Sequence, residues 1–123
     1  MQTSLLKIID LDFVHIEIYP DYLITTTKEG VVFDTKELAT IYEVFDNYFP
    51  GKDFGLIAKR VNDYTVNPTC YSECAKLERL KGMAILCFNE ASYNNAKFEK
   101  AFYQDLEAFY TIEECVSFIE KKL

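Results

Sequence analysis

The chain has no tryptophan and a single histidine, His15, among its 123 residues, and its four glycines, Gly30, Gly51, Gly55 and Gly82, stand apart from one another. Scattered glycines build neither a phosphate-binding loop nor a dinucleotide fingerprint, both of which need several within a short turn. One histidine leaves a serine or cysteine nucleophile with one candidate base. His15 lies in an alternating run beside Glu17, where a solvent-facing role is the simpler reading. Basic residues are also in short supply: 13 Lys and Arg face 20 Asp and Glu, a formal charge of −7. Such a surface repels a phosphate backbone, so no nucleic-acid partner is expected. No apolar run reaches the roughly 18 residues that a transmembrane helix needs. The N-terminus, MQTSLLKIIDLDF, lacks a basic start followed by a long apolar run, so the expectation is a cytoplasmic protein with free thiols.

What the chain does have is ring area, ten Phe and nine Tyr. Tyrosine can turn a ring to apolar neighbours and a hydroxyl to water, which suits both strand edges and a recognition surface. A length of 123 residues and a half-hydrophobic composition fit one domain with a real core, taken here as residues 1–123.

The pattern of apolar residues orders the elements. FVHIEIY, Phe13 to Tyr19, alternates as a half-buried strand, Pro20 and Asp21 turn the chain, and YLITTT, Tyr22 to Thr27, pairs back before Lys28, Glu29 and Gly30 end it. DTKE, Asp34 to Glu37, has the form of a capping box, and behind it Leu38, Ile41, Tyr42, Phe45, Tyr48 and Phe49 form a helical stripe that stops at Pro50 and Gly51. DFGLIAK, Asp53 to Lys59, and GMAILCF, Gly82 to Phe88, are short apolar runs suited to buried strands. Between them Cys70, Tyr71, Cys74, Leu77 and Leu80 fall at helical spacing. A third helix is expected at about Tyr93 to Phe102 and a last strand at Leu106 to Tyr110. TIEE, Thr111 to Glu114, is a second capping box, followed by the stripe Ile112, Cys115, Val116, Ile119 and Leu123, with Lys121 and Lys122 in the final turn. This order predicts an α/β fold with a single mixed sheet of about five strands, an N-terminal antiparallel hairpin followed by parallel βα crossovers, and about four helices.

The final FYTIEECVSFIEKKL, a strand running into a capped helix, and the middle segment FGLIAKRVNDYTVNP, a strand followed by an Arg, an Asn, a Tyr and a Pro-opened helix, resemble the STAS-like (SpoIIAA-like) domains of anti-sigma-factor antagonists and their stand-alone bacterial relatives. The resemblance implies a non-catalytic regulatory or protein-interaction domain. In the phosphorylated antagonists a serine in an Asp-x-Ser-Gly setting opens the second helix as the switch. Asn62 to Ser72 holds Thr65, Thr69 and Ser72 but no such motif, so the phosphoserine switch does not carry over. The same broad fold group is likened to lipid-binding CRAL-TRIO domains, which keeps a small lipophilic ligand open as the alternative.

The residues themselves point to one segment. KRVNDYTVNPTCYSEC, Lys59 to Cys74, follows a buried strand and enters a helix, which puts it at the carboxyl edge of the sheet, where open α/β domains place ligands. Asn67 is a candidate cap with Pro68 as the first helical residue, which would leave free amides for an anion. Arg60 offers a bidentate donor, and Tyr64 and Tyr71 offer rings beside it. Arg60, Asn62, Tyr64, Asn67, Thr69 and Tyr71 are therefore the candidate site for a protein partner or for a lipophilic acid. The plainer reading is that Asn62, Asp63 and Asn67 satisfy the loop's own backbone. Cys70 and Cys74 share a helix face at metal-compatible spacing, but Cys87 and Cys115 form no second close pair, so the four are read as core residues and no metal or cofactor is expected. The carboxylate pairs Asp10 with Asp12 and Glu113 with Glu114 have ordinary roles before a strand and at a helix cap, so no catalytic residue is assigned.

Overall fold

The computed structural model describes residues 4–123. In chain order the elements are β1 (Lys7–Asp10), β2 (Val14–Ile18), β3 (Tyr22–Thr27), β4 (Val32–Phe33), α1 (Thr35–Tyr48), β5 (Phe54–Arg60), β6 (Thr65–Val66), α2 (Thr69–Cys74), β7 (Leu80–Cys87), α3 (Glu90–Glu99), β8 (Leu106–Phe109) and α4 (Ile112–Lys122). Six of the strands form one mixed sheet in the order β1-β2-β3-β5-β7-β8. The first three are antiparallel neighbours, and β3, β5, β7 and β8 run parallel. A separate parallel pair, β4 with β6, brings Val32 opposite Thr65 and Phe33 opposite Val66.

Alternation along the strands sends side chains to two faces. Val14, Ile16, Leu23, Leu56, Ala58, Met83 and Ile85 turn to the side covered by α1, α2 and α3, where Leu38, Ile41, Phe45, Cys70, Tyr71, Cys74 and Ala96 meet them. Tyr22, Ile24, Ile57, Ala84 and Leu86 turn to the other side, against Cys115 and Ile119 of α4. Gly55 lets α4 sit close on the sheet: a Cβ there would fall 2.6 Å from Ile119 Cδ1. Phe49 stacks on Phe54 within the larger core, with ring centroids 4.6 Å apart.

The helix starts follow local chemistry. Asp34 and Glu37 make the full reciprocal capping box, with the Asp34 amide donating to Glu37 Oε1 at 2.9 Å. Thr111 Oγ1 accepts from the Glu114 amide at 3.2 Å and donates to its carboxylate at 3.0 Å.

The structure bears out the α/β fold with its mixed sheet and four helices, and adds the separate β4 and β6 pair and several shifted boundaries. The sheet has six strands because β1, an edge strand with little burial of its own, is held by pairing with β2, and its KIID sequence carries no alternation signal. The stripe from Cys70 to Leu80 is not one helix: α2 ends at Cys74, Leu77 lies in the following turn, and Leu80 opens β7. Helix α3 begins at Glu90, not near Tyr93, because Asn89 Oδ1 caps it by accepting from the Ser92 amide at 2.8 Å. Helix α2 starts at Thr69, with Pro68 in the preceding cap position and no side-chain cap from it. Asn67 does the work one residue earlier, its Oδ1 accepting from the Thr69 amide at 3.0 Å.

Candidate functional site

Strand β5 ends on Arg60, whose side chain turns towards α2 and α3 and is only 9% exposed. A buried guanidinium needs oxygen around it. Arg60 Nε donates to Tyr64 Oη at 3.2 Å and Nη2 to Tyr71 Oη at 2.8 Å, while Nη1 stands 2.7 Å from Glu99 Oε1. Tyr71 then passes its own proton on, donating to Glu99 Oε2 at 2.7 Å. The Tyr64 ring also lies under the cation, its centroid 5.6 Å from Arg60 Cζ. Burial opposes the Arg60 charge, but the oxygens of Tyr64, Tyr71 and Glu99 outweigh it and hold the guanidinium above its ordinary value. Burial, reinforced by the Glu99 carboxylate, pushes the Tyr71 phenol well above its ordinary value, so it acts as a proton donor to Glu99 throughout the physiological range.

Arg60, Tyr64 and Tyr71 of this polar knot line two spaces. On the core side is an apolar cavity of about 70 Å³ between the sheet, α1 and α2, with Phe33, Leu38, Leu56, Ala58, Cys74 and Ile85 in its wall and Arg60, Tyr64 and Tyr71 at its polar end. On the solvent side is an open cleft of about 250 Å³ between the β5–β6 loop and α3, to which Asn62, Asp63, Pro68, Asn95, Phe98 and Phe102 contribute together with the same Arg60, Tyr64 and Tyr71. Phe98 and Phe102 stand edge to face at 5.9 Å on the rim, and Phe98 is 69% exposed.

Of the six candidate residues, Arg60, Tyr64 and Tyr71 come together in direct contact. Asn62 reaches the cleft, but its side-chain amide donates to the Thr27 carbonyl at 3.0 Å and ties the loop to β3. Asn67 binds Asp34 Oδ1 at 2.9 Å and caps Thr69, so both belong to the junction of α1 and α2, away from either space. The amides expected to be free at the start of α2 are occupied: Thr69 by Asn67 Oδ1, Cys70 by the Asn67 carbonyl, and Tyr71 and Ser72 by the Pro68 carbonyl. No backbone amide is left free there for an anion. The backbone of Asp63 is likewise engaged, its amide donating to Glu29 Oε1 and its carbonyl accepting from Gly30. Of the three polar loop residues, only Asn67 bonds the backbone of its own segment, at Thr69; the Asn62 side chain bonds β3, and Asp63 takes part through its backbone.

Glu99, Phe98 and Phe102 are the residues that the sequence did not mark. KFEKAF spans the end of α3 and the turn after it, and the only signal in it is two phenylalanines four residues apart at the end of a helix with almost no buried face.

The remaining chemistry-bearing groups are spent elsewhere. All four cysteines are buried and free, and burial pushes the Cys70 thiol up to about 11 and the Cys74 and Cys115 thiols up to about 12. His15 lies between Asp10, 3.3 Å away, and Glu17, 3.9 Å away, on the strand face opposite the cavity. No group of three or more potential metal-ligating side chains exists among the described residues. Among the same residues, no helix is long and apolar enough to cross a membrane.

No protein-family model matches the sequence, and no curated protein does. One solved structure that the fold matches is an uncharacterized protein of the DUF3478 family with a SpoIIAA-like fold, from Shewanella loihica PV-4. It superposes with a TM-score of 0.58 at 14% sequence identity, over 97% of this chain and 98% of that one. The chain thus has a SpoIIAA-like fold, as the FGLIAKRVNDYTVNP and FYTIEECVSFIEKKL segments implied.

Proposed function

We propose that this chain, acting as one domain over residues 1–123, is a non-catalytic cytoplasmic regulatory domain of STAS-like type whose input is a small lipophilic acid. The single observation that carries this reading is the position of Arg60: a buried cation that lines both an apolar cavity and an open cleft. Apolar concavities with a few convergent polar groups are the usual form of a small-molecule site. A guanidinium at the end of such a space meets a carboxylate with two parallel N–H groups. Binding without catalysis is supported by the buried, protonated thiols and by the placement of His15 away from the cavity.

The test is native mass spectrometry of the protein purified gently from its own cells, followed by solvent extraction. A co-purified lipophile carrying an acid group is the expected result. A bare mass, together with no thermal stabilisation by carboxylic acids of any chain length, sinks the reading.

A protein partner at the same edge is the second reading, and the exposed Phe98 and Phe102 favour it. Arg60 cannot be its main contact, because that side chain is buried and engaged, so the partner would meet the phenylalanine rim of the cleft. Replacement of Phe98 and Phe102 by serine is then expected to abolish partner capture without lowering the melting temperature, whereas unchanged capture removes this reading.

A further inference from the structure

A guanidinium has five N–H groups. In Arg60 one goes to Tyr64 and one to Tyr71, and Nη1 lies 2.7 Å from Glu99 Oε1 in an ion pair that lacks the alignment of a hydrogen bond. Among the described residues Glu99 Oε1 is the buried side-chain oxygen with no hydrogen bond. The pair thus has matched charge without the fork-to-fork fit that an arginine and a carboxylate usually reach. Three N–H groups of a buried cation have no aligned acceptor on the described chain, and Arg60 lines both the apolar cavity and the cleft.

Resting on the lipophilic-acid reading above, we infer that Glu99 is a built-in stand-in for the ligand's carboxylate. A short-chain aliphatic acid displaces it, placing its own carboxylate on Arg60 and Tyr71 and its tail among Phe33, Leu56, Ala58 and Ile85. Size sets the chain length: a cavity of about 70 Å³ is roughly half of the ~150 Å³ apolar cavity that accommodates a benzene ring, so it takes a few methylenes and not a long acyl chain. Charge sets the head group. Exchanging one carboxylate for another leaves Arg60 paired, whereas a neutral ligand that expelled Glu99 would strand a buried cation.

The displaced side chain has a destination, because the open cleft of about 250 Å³ lies directly behind it. The consequence reaches the surface. Glu99 is the last residue of α3, and its release unties the turn that carries the exposed Phe98 from the core. Ligand occupancy is thereby converted into a change at the phenylalanine rim.

A side chain held beside its target competes at a high effective concentration, so its removal raises the apparent affinity for the ligand by about tenfold or more. The experiment is calorimetric titration of hexanoate and of hexan-1-ol into the wild-type protein, Glu99→Ala and Glu99→Gln. Glu99→Gln keeps the size of the side chain and serves as the comparison if Glu99→Ala does not fold. Hexanoate is expected to bind both variants about tenfold or more tightly than wild type, with hexan-1-ol weaker and indifferent to residue 99. Equal binding of acid and alcohol, or hexanoate binding that the variants leave unchanged or weaken, overturns the displacement while leaving a ligand-binding cavity. Binding of neither compound to any of the three proteins overturns the displacement and the lipophilic-acid reading together.

Discussion

Arg60 at the end of β5 and Glu99 at the end of α3 meet at 2.7 Å with side chains 9% and 17% exposed, and Tyr71 joins them from α2 by bonding to both. Two elements close together in the chain and a third farther along it are tied at one polar point beside an apolar cavity. Breaking one side of such a pair leaves an uncompensated charge, whereas replacing both sides with apolar groups removes the problem. Arg60→Met is therefore expected to cost about 3–5 kcal/mol. The double variant Arg60→Met with Glu99→Leu is expected to recover most of that loss. Urea denaturation with an unchanged slope checks it, and a double variant no better than the single one contradicts the pairing.

Tyr71→Phe is a finer cut. It removes the hydroxyl that accepts from Arg60 and donates to Glu99 while preserving the ring in the core. The expected destabilisation is about 1–3 kcal/mol, the cost of leaving buried polar groups without a partner. A loss below the error of a chemical denaturation curve would show that neither bond matters to the folded state.

The close approach of α4 to the sheet rests on Gly55. A methyl at that position meets the Ile119 side chain, and well-packed interfaces resist added volume at about 1–3 kcal/mol. Gly55→Ala is expected to lower the melting temperature, and Ile119→Val in the same chain to restore part of it. Thermal unfolding of the three proteins decides this; no recovery in the pair means that Cδ1 of Ile119 is not the atom that resists the methyl.

Alkali probes the buried thiols. Burial raises the Cys74 and Cys115 thiols to about 12 in the folded chain, above the ordinary value of about 8.5 they have when unfolded. A group whose folded value is raised contributes stability that is complete below its unfolded value and is lost as the pH climbs towards the folded one. Stability is therefore expected to fall from about pH 9 towards about pH 12, and the loss should shrink in Cys74→Ala with Cys115→Ala. Denaturation at a series of pH values reads it directly. A double variant as alkali-sensitive as wild type contradicts the assignment.

The parts of this fold that were legible in the sequence are those that carry their own signal. DTKE and TIEE announce two helix starts through capping chemistry, and FVHIEIY and YLITTT announce the hairpin through alternation. What was not legible depends on partners. KIID is a strand only because β2 offers it an edge, and Leu80 belongs to β7 although it falls at helical spacing from Cys70 and Tyr71. The site divided in the same way. Arg60, Tyr64 and Tyr71 lie within one segment and were found together, but Glu99 reaches them only through the fold. Asn62 and Asn67 read as candidate recognition residues from the sequence, and their bonds to the Thr27 carbonyl and to Asp34, which tie the loop to distant elements, are visible only in the fold.

Filling the cavity tests the central claim most directly. Ala58 lies in its wall, and Ala58→Leu places an isobutyl group where the ligand's tail would lie while leaving the Arg60 side chain itself unaltered. The decisive measurement is native mass spectrometry of wild type and Ala58→Leu purified side by side from the same cells, with their melting temperatures. The account predicts a co-purified lipophilic acid on the wild-type chain and none on an equally stable or more stable Ala58→Leu. A wild-type chain with no bound lipophile, or the same lipophile at the same occupancy on both proteins, would contradict it.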